Sequence, residues 1–277
     1  MACCPSEPPL NTLEPQATPP VVLCLSGHDP SGGAGLQADI EAVAAMGGHA
    51  ATVPTCLTDQ DSRNVHGVQA VGDDWFANCV DRLAADLDIR AIKVGVVGSA
   101  GQAACIARLA DRLNTNGQCP VVVDPVLIAS GGGQLADDPT RQAVIQHLLP
   151  RATLLTPNLR EAMQLTDFHG DANATATALR ALGAGWVLLT GGDSDPASPE
   201  VEDCLYNPAG HVTRYQHARL PHRYHGSGCS LASACAAALA RQPADVAAAV
   251  STAIESVYQW LEQAWRPGQG QHIPRRR

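Results

Sequence analysis

The chain is short of charge, of aromatic rings and above all of lysine: 16% of its 277 residues are charged, 4% are aromatic, and Lys93 is the only lysine. A genome that favours arginine codons is the main explanation of the scarcity, but any Schiff-base or phosphate-binding lysine chemistry still has one candidate. No apolar run is long enough to span a bilayer, and the proline-rich residues 1–20 hold neither a basic start nor an apolar stretch, so no signal peptide and no membrane span are expected. A formal charge of −9 argues against nucleic acid or an anionic membrane as the main partner and leaves a small molecule as the expectation. The ten cysteines, scattered from Cys3 to Cys235, lack zinc-type pairing, and the ten histidines lack HExxH or other ligand spacing. Neither a disulfide framework nor a structural metal is expected, and the reading is a cytoplasmic protein with reduced thiols.

Apolar material is ample, at 45% of the residues, enough to cover both faces of a sheet. Short β-branched runs alternate with Ala-rich stretches, the rhythm of βα units around a mostly parallel sheet. Strands are expected near Val21–Ser26, Ala50–Thr55, Ala91–Val94, Val121–Val123, Thr153–Leu155 and Trp186–Thr190, with helices at Gly35–Met46, Asp73–Leu87, Ser99–Asn114, Thr140–Leu148, Leu159–Thr166 and Ala174–Leu182. A polar hairpin over 201–217 and two closing helices, Cys229–Arg241 and Ala244–Trp265, complete one domain at 21–266. Residues 1–20 are expected as a disordered tail, and 267–277 as a flexible basic tail frayed at Arg275–Arg277.

The most informative stretch is His225-Gly226-Ser227-Gly228-Cys229-Ser230, opening an Ala-rich helix. Two glycines let the backbone aim its amides at one point, which the positive end of the helix also faces. Such an anion hole can cradle a phosphoryl group in flight, and Cys229, with its pKa lowered at a helix N-terminus, can serve as base. A glycine loop capping a buried helix, with Cys229 as a small core residue, fits this stretch as well.

The first loop, Ser26-Gly27-His28-Asp29-Pro30-Ser31-Gly32-Gly33-Ala34-Gly35, fails as a dinucleotide fingerprint and lacks the Walker lysine. It lets main chain lie against a flat ligand, while Asp39, one helical turn further on, can accept from a ring amine or hydroxyl. Asp124 and Glu161, each past a strand end, suit Mg²⁺, which asks for one or two carboxylates and keeps its waters. A loop cap and a first-turn helix acid are their ordinary alternatives. Gln60, beyond another strand, has a carboxamide that can pair with a pyrimidine edge, unless it is a plain exposed amide.

With these residues in hand the chain resembles the hydroxymethylpyrimidine/phosphomethylpyrimidine kinases of thiamine biosynthesis, within the ribokinase-like superfamily. The markers run in order: Gly27 to Asp39, Gln60, Lys93-Val94-Gly95, Asp124-Pro125-Val126, Thr156-Pro157-Asn158 with Glu161, Gly191-Gly192, and His225 to Cys229. The resemblance implies a three-layer α/β/α sandwich with a central, mainly parallel sheet, use of ATP and Mg²⁺, and a homodimer. It implies that Gly27, Asp39, Gln60 and Val126 meet the aminopyrimidine. Gly226, Ser227, Gly228 and Cys229 would form the anion hole and base, Asn158, Thr190, Gly191 and Gly192 the nucleotide side, and Asp124 and Glu161 the metal site. Family members often carry lysine where this chain has Thr190, Ala129 and a residue near Ile254 or Glu255. Pyridoxal kinase is the alternative enzyme, and a non-catalytic pyrimidine-binding protein the alternative of another class.

Overall fold

The computed structural model describes residues 18–127 and 135–277. Most of the expected N-terminal tail, including Cys3 and Cys4, and the Ala129-Ser130-Gly131 triplet lie outside the described residues. The chain starts with β1 (Val21–His28), α1 (Gly35–Ala45) and β2 (His49–Gln60), which turns back as β3 (Val65–Ala70). Then come α2 (Asp73–Asp86), β4 (Ile89–Val94), α3 (Ala100–Leu113), β5 (Val121–Val123) and α4 (Asp138–Ala143). Next are β6 (Leu154–Leu155), α5 (Leu159–Thr166), α6 (Ala172–Ala181) and β7 (Trp186–Leu189). The hairpin β8 (Glu200–Tyr206) and β9 (Val212–Ala218) leads to α7 (Ser227–Arg241) and α8 (Val246–Glu262).

These strands form one sheet in the order β3-β2-β1-β4-β5-β6-β7-β8-β9, parallel through its centre and antiparallel at both margins. β1 explains the layering. Its residues alternate sides, so Val21, Leu23 and Leu25 join a core beneath α2, α3, α5 and α6, while Val22 and Cys24 join a second core beneath α1, α7 and α8. Each fully buried leucine contributes about 1.5–3 kcal/mol through water exclusion. The chain leaves β1 for β2 on one side and β4 on the other, and a reversal of strand order opens a crevice at the carboxyl ends of the strands. The parallel βα units thus deliver Gly27, Gly95, Asp124 and Asn158 to one edge of the sheet.

The structure corrects several expectations. β3 was not anticipated: it is an exposed edge strand whose polar, glycine-bearing sequence carries no alternation, and its pairing with β2 creates it. β2 runs on to Gln60, which ends the strand rather than following it. The single helix expected over Thr140–Leu148 is α4 followed by a π-helical turn, Val144–Leu148, and a 3₁₀ turn, Leu149–Arg151. Pro150 has no N–H to continue an α-helix there. The basic end is not frayed. Ile273 and Arg276 are buried, Trp265 bridges Ile273, and Arg275 N–H donates to the Trp260 carbonyl at 3.0 Å.

Candidate active site

α7 opens without a cap. Its N-cap is Gly226, at φ +79°, and no side chain accepts from its first amides, whereas α3, α4, α5, α6 and α8 each begin with a capping Ser, Asp or Asn. Gly226 is required on two counts. Its backbone is left-handed, and a Cβ there would strike the Gly33 carbonyl of the first loop. Ser227, Gly228 and Cys229 therefore present free N–H groups at the positive end of a fifteen-residue helix, with Gly228 exposed.

Beneath this mouth lies a buried ionic cluster. Lys93 Nζ, on β4, sits 2.8 Å from Asp39 Oδ1 and donates to Ser26 Oγ at 3.0 Å, and Ser233 of α7 donates to the same Asp39 oxygen at 2.7 Å. Lys93 and Asp39 are both fully buried, so each needs the other. Burial alone would lower the Lys93 pKa, but the carboxylate of Asp39, with Asp124 adding to it, outweighs burial and holds the ammonium above its ordinary range. Asp39 Oδ2 and Asp124 Oδ2 are buried without hydrogen-bond partners.

Cys229 faces this cluster. Its sulfur receives the Gly35 N–H and hydrogen-bonds the Asp124 carboxyl group. The expected depression of its pKa does not occur. Burial pushes the thiol up to about 12, and the carboxylates of Asp124 and Asp39 add to that, against Lys93 and the Gly35 amide. Desolvation and neighbouring negative charge outweigh the helix end.

The first loop is fastened by Asp29, which accepts from Ser31 N–H and Ala34 N–H, both at 2.8 Å. His225 Nε2 lies 2.8 Å from Asp29 Oδ2 and 2.9 Å from Gln60 Nε2. Burial works against ionisation of Asp29, but bonds from His225 and Ser31 hold its carboxyl below the usual range. Gln60 Oε1 accepts from Thr58 Oγ1 at 3.2 Å, which makes its amide part of the loop network rather than a plain exposed group. Gly27, next to last in β1, lies against Cys56. Val126 stands apart from that network: its N–H donates to the Asp124 carbonyl and it lines a small apolar space with Gly95, Pro125 and Leu148.

The other expected set also converges. Asn158 caps α5 in a capping box: its Oδ1 accepts from Glu161 N–H at 2.8 Å, and Glu161 Oε2 accepts from Asn158 N–H at 3.0 Å. Asn158 bridges Thr190 and donates to Asp193 Oδ2 at 3.1 Å. Gly191 N–H donates to the buried Asp203 Oδ1, and a Cβ on Gly191 would strike the Glu202 carbonyl. Arg219, which the sequence did not single out, donates to the Gly192 carbonyl at 3.1 Å. Burial, with the carboxylates of Asp124 and Asp193 adding to it, pushes Glu161 up to about 8. Burial also pushes Asp124 up to about 6, with Lys93 opposing and Asp39 adding. Among the described residues no three His, Cys, Asp or Glu side chains converge on one metal position. The acidic set, with the orphaned Asp124 Oδ2, nonetheless fits a cation that brings its own waters.

The sequence marked Lys93 as the single lysine candidate and as part of a family motif but gave it no partner, and it gave no role to Asp29 and His225. The one-lysine count was the available signal for the first; only contacts reveal the others.

Against known proteins, residues 29–275 match the phosphomethylpyrimidine kinase family. A hydroxymethylpyrimidine/phosphomethylpyrimidine kinase of Mycobacterium tuberculosis is 38% identical over 233 residues, covering 82% of each chain. A thiamine biosynthesis bifunctional protein of Geobacter sulfurreducens is 35% identical over 79% of this chain and 45% of its own. The pyridoxal kinase of Staphylococcus aureus, solved with AMP-PCP and pyridoxal, superposes with a TM-score of 0.82 at 26% identity, covering 94% of both chains.

Proposed function

This chain belongs to the phosphomethylpyrimidine kinase family, and from that premise we propose that it phosphorylates 4-amino-5-hydroxymethyl-2-methylpyrimidine and its monophosphate with ATP, on the route to thiamine diphosphate. The observation that carries the reading is the uncapped α7 mouth set directly over the Asp39–Lys93–Asp124–Cys229 cluster.

In this reading the pyrimidine lies between the first loop and the α7 mouth. Its exocyclic amine donates to the orphaned Asp39 Oδ2, and the Gln60 carboxamide pairs with the ring edge. Gly27 and Val126 border the ring. The N–H groups of Ser227, Gly228 and Cys229 take the charge of the transferring phosphoryl group, where positioning and electrostatics do most of the catalysis. A bond forms from the hydroxyl oxygen to the γ-phosphorus as the γ-phosphorus to bridging-oxygen bond breaks. Cys229 is a thiol at neutral pH, so it orients the hydroxyl rather than stripping it. The hydroxyl proton leaves to solvent late, once the new bond has made it acidic. Asn158, Thr190, Gly191 and Gly192 receive the nucleotide. Asp124 and Glu161 would hold Mg²⁺, largely through waters, and the ion would neutralise charge on the nucleotide phosphates.

The catalytic unit in this proposal runs from residue 21 through the docked basic end that carries Arg276. It works in the cytoplasm as a homodimer, supported by free thiols at Cys24, Cys56 and Cys229 and by exposed Leu57 and Val68 on the β2–β3 edge. The likeness to pyridoxal kinase favours that alternative less than the 38% identity favours the pyrimidine.

³¹P NMR of the protein with MgATP and the hydroxymethylpyrimidine tests the reading. ADP and a pyrimidine monophosphate, followed by the diphosphate, are expected. Pyrimidine binding without ADP would establish a non-catalytic binder, and faster turnover of pyridoxal would establish the other kinase.

A further inference from the structure

Arg276 is unusual for a cation: its side chain is fully buried and its donors reach three separate parts of the chain. Nε donates to Ser230 Oγ of α7 at 2.7 Å, Nη2 to the Gly33 carbonyl of the first loop at 2.6 Å, and Nη1 to Glu41 Oε2 of α1 at 2.9 Å. Ser230 Oγ passes the bond on, donating to the Gly226 carbonyl at 2.6 Å. Gly33 and Gly226 are also the point where the two glycine loops touch, and Nη2 lies 2.9 Å from where a Gly226 Cβ would stand.

We propose that Arg276 is a positioning residue for phosphoryl transfer, holding the α7 mouth and the first loop in register and strengthening the Ser227 N–H as a donor. The inference rests on the kinase reading above. Three observations support it. A buried guanidinium is costly unless its donors are met, and here each nitrogen has an acceptor on a different element, so the charge is stable only while those elements stay together. Moreover, the Gly226 carbonyl and the Ser227 N–H belong to one peptide unit. A chain of bonds from guanidinium through Ser230 to that carbonyl draws electron density toward the oxygen, which polarises the N–H aimed at the anion. Finally, the segment that carries Arg276 is itself tied down: His272 N–H donates to the Arg223 carbonyl at 2.9 Å, and His225 N–H to the His272 carbonyl at 2.8 Å. The residue before the anion-hole loop and the residue that braces the loop thus share one attachment.

The test compares wild type, Arg276→Ala, Arg276→Lys and Ser230→Ala by steady-state kinetics with MgATP and the hydroxymethylpyrimidine, and by amide hydrogen exchange over residues 226–230. Arg276→Ala is expected to lower kcat by roughly 10- to 100-fold with KM for the pyrimidine within about threefold, since small displacements of catalytic groups cost rate before affinity. Exchange at Ser230, whose N–H donates to the Gly226 carbonyl, is expected to speed up, Arg276→Lys to recover part of kcat, and millimolar guanidinium to rescue Arg276→Ala but not Ser230→Ala. Wild-type kcat and exchange in Arg276→Ala would overturn the proposal, as would a loss confined to KM. Should Arg276→Ala fail to fold, Ser230→Ala decides alone: unchanged kcat and exchange in that variant overturn it. If wild type forms no ADP, the kinase reading fails and hydrogen exchange still judges the brace.

Discussion

Two helices, α5 and α7, point their N-termini at the same edge of the sheet and treat their free amides in opposite ways. α5 satisfies its own: Asn158 and Glu161 exchange bonds in a capping box, which leaves Asn158 only its amide nitrogen for Asp193. α7 satisfies none of its first amides with a side chain and takes a glycine at a left-handed N-cap instead. The closed end is locally determined and self-supporting. The open end is held from outside, by Asp39 and Lys93 below and by Arg276 behind. A helix end that must receive an anion cannot also be stabilised by its own cap, so its support has to come from elsewhere in the fold.

The comparison breaks most sharply at Asp39. Removing it strands a buried ammonium, so Asp39→Ala is expected to cost about 3–5 kcal/mol of stability in urea unfolding, with Asp39→Asn milder. An unfolding curve like the wild type's would show that the open end needs no such foundation.

At the mouth itself, Cys229→Ala is expected to lower kcat about 100-fold, roughly 2.7 kcal/mol, with pyrimidine affinity in titration calorimetry little changed. Cys229→Ser, which keeps an orienting group, should lose far less. The pH profile supplies the sign. A thiol pushed up to about 12 stays protonated through neutral and mildly alkaline solution, so above the ionisation of Glu161 near pH 8 kcat is expected to stay level, from pH 9 to 10, rather than climb tenfold per unit. Such a climb would make the thiolate a base after all.

The closed end should respond differently. Asn158→Ala removes the capping box and is expected to cost about 1 kcal/mol in thermal unfolding, with a raised KM for ATP and an unchanged KM for the pyrimidine. A matching rise in both constants would mean that the two helix ends are not separable in function. The smallest effect is expected from Thr190→Lys, which places a cation beside Gly191 and Gly192 and should lower the KM for ATP by roughly threefold, as one partly screened charge does. No change would show that Arg219 and the loop amides already suffice.

The sequence carried the central parallel strands and most helices because periodicity and strand-end glycines are local properties: α5 and β5 lie where patterning placed them. β3 and the docked basic end were illegible, since an edge strand with no buried face has no pattern and a buried arginine looks like any other. At the site, the glycine loops and Asp39, Gln60, Asn158 and Cys229 were all visible as residue types in a spacing. Their partners were not. That Asp39 pairs with Lys93, that Gln60 meets His225, and that Cys229 faces Asp124 are contacts across 54, 165 and 105 positions, which no local pattern encodes.

By itself, then, the sequence determined that α7 begins on glycine with no capping Ser, Asp or Asn, as α2 also does at Gly72. Only the tertiary structure decided the protonation of the thiol in that opening. Charge in a protein follows burial and distance, and those exist only once β4, β5, α1 and α7 have packed together.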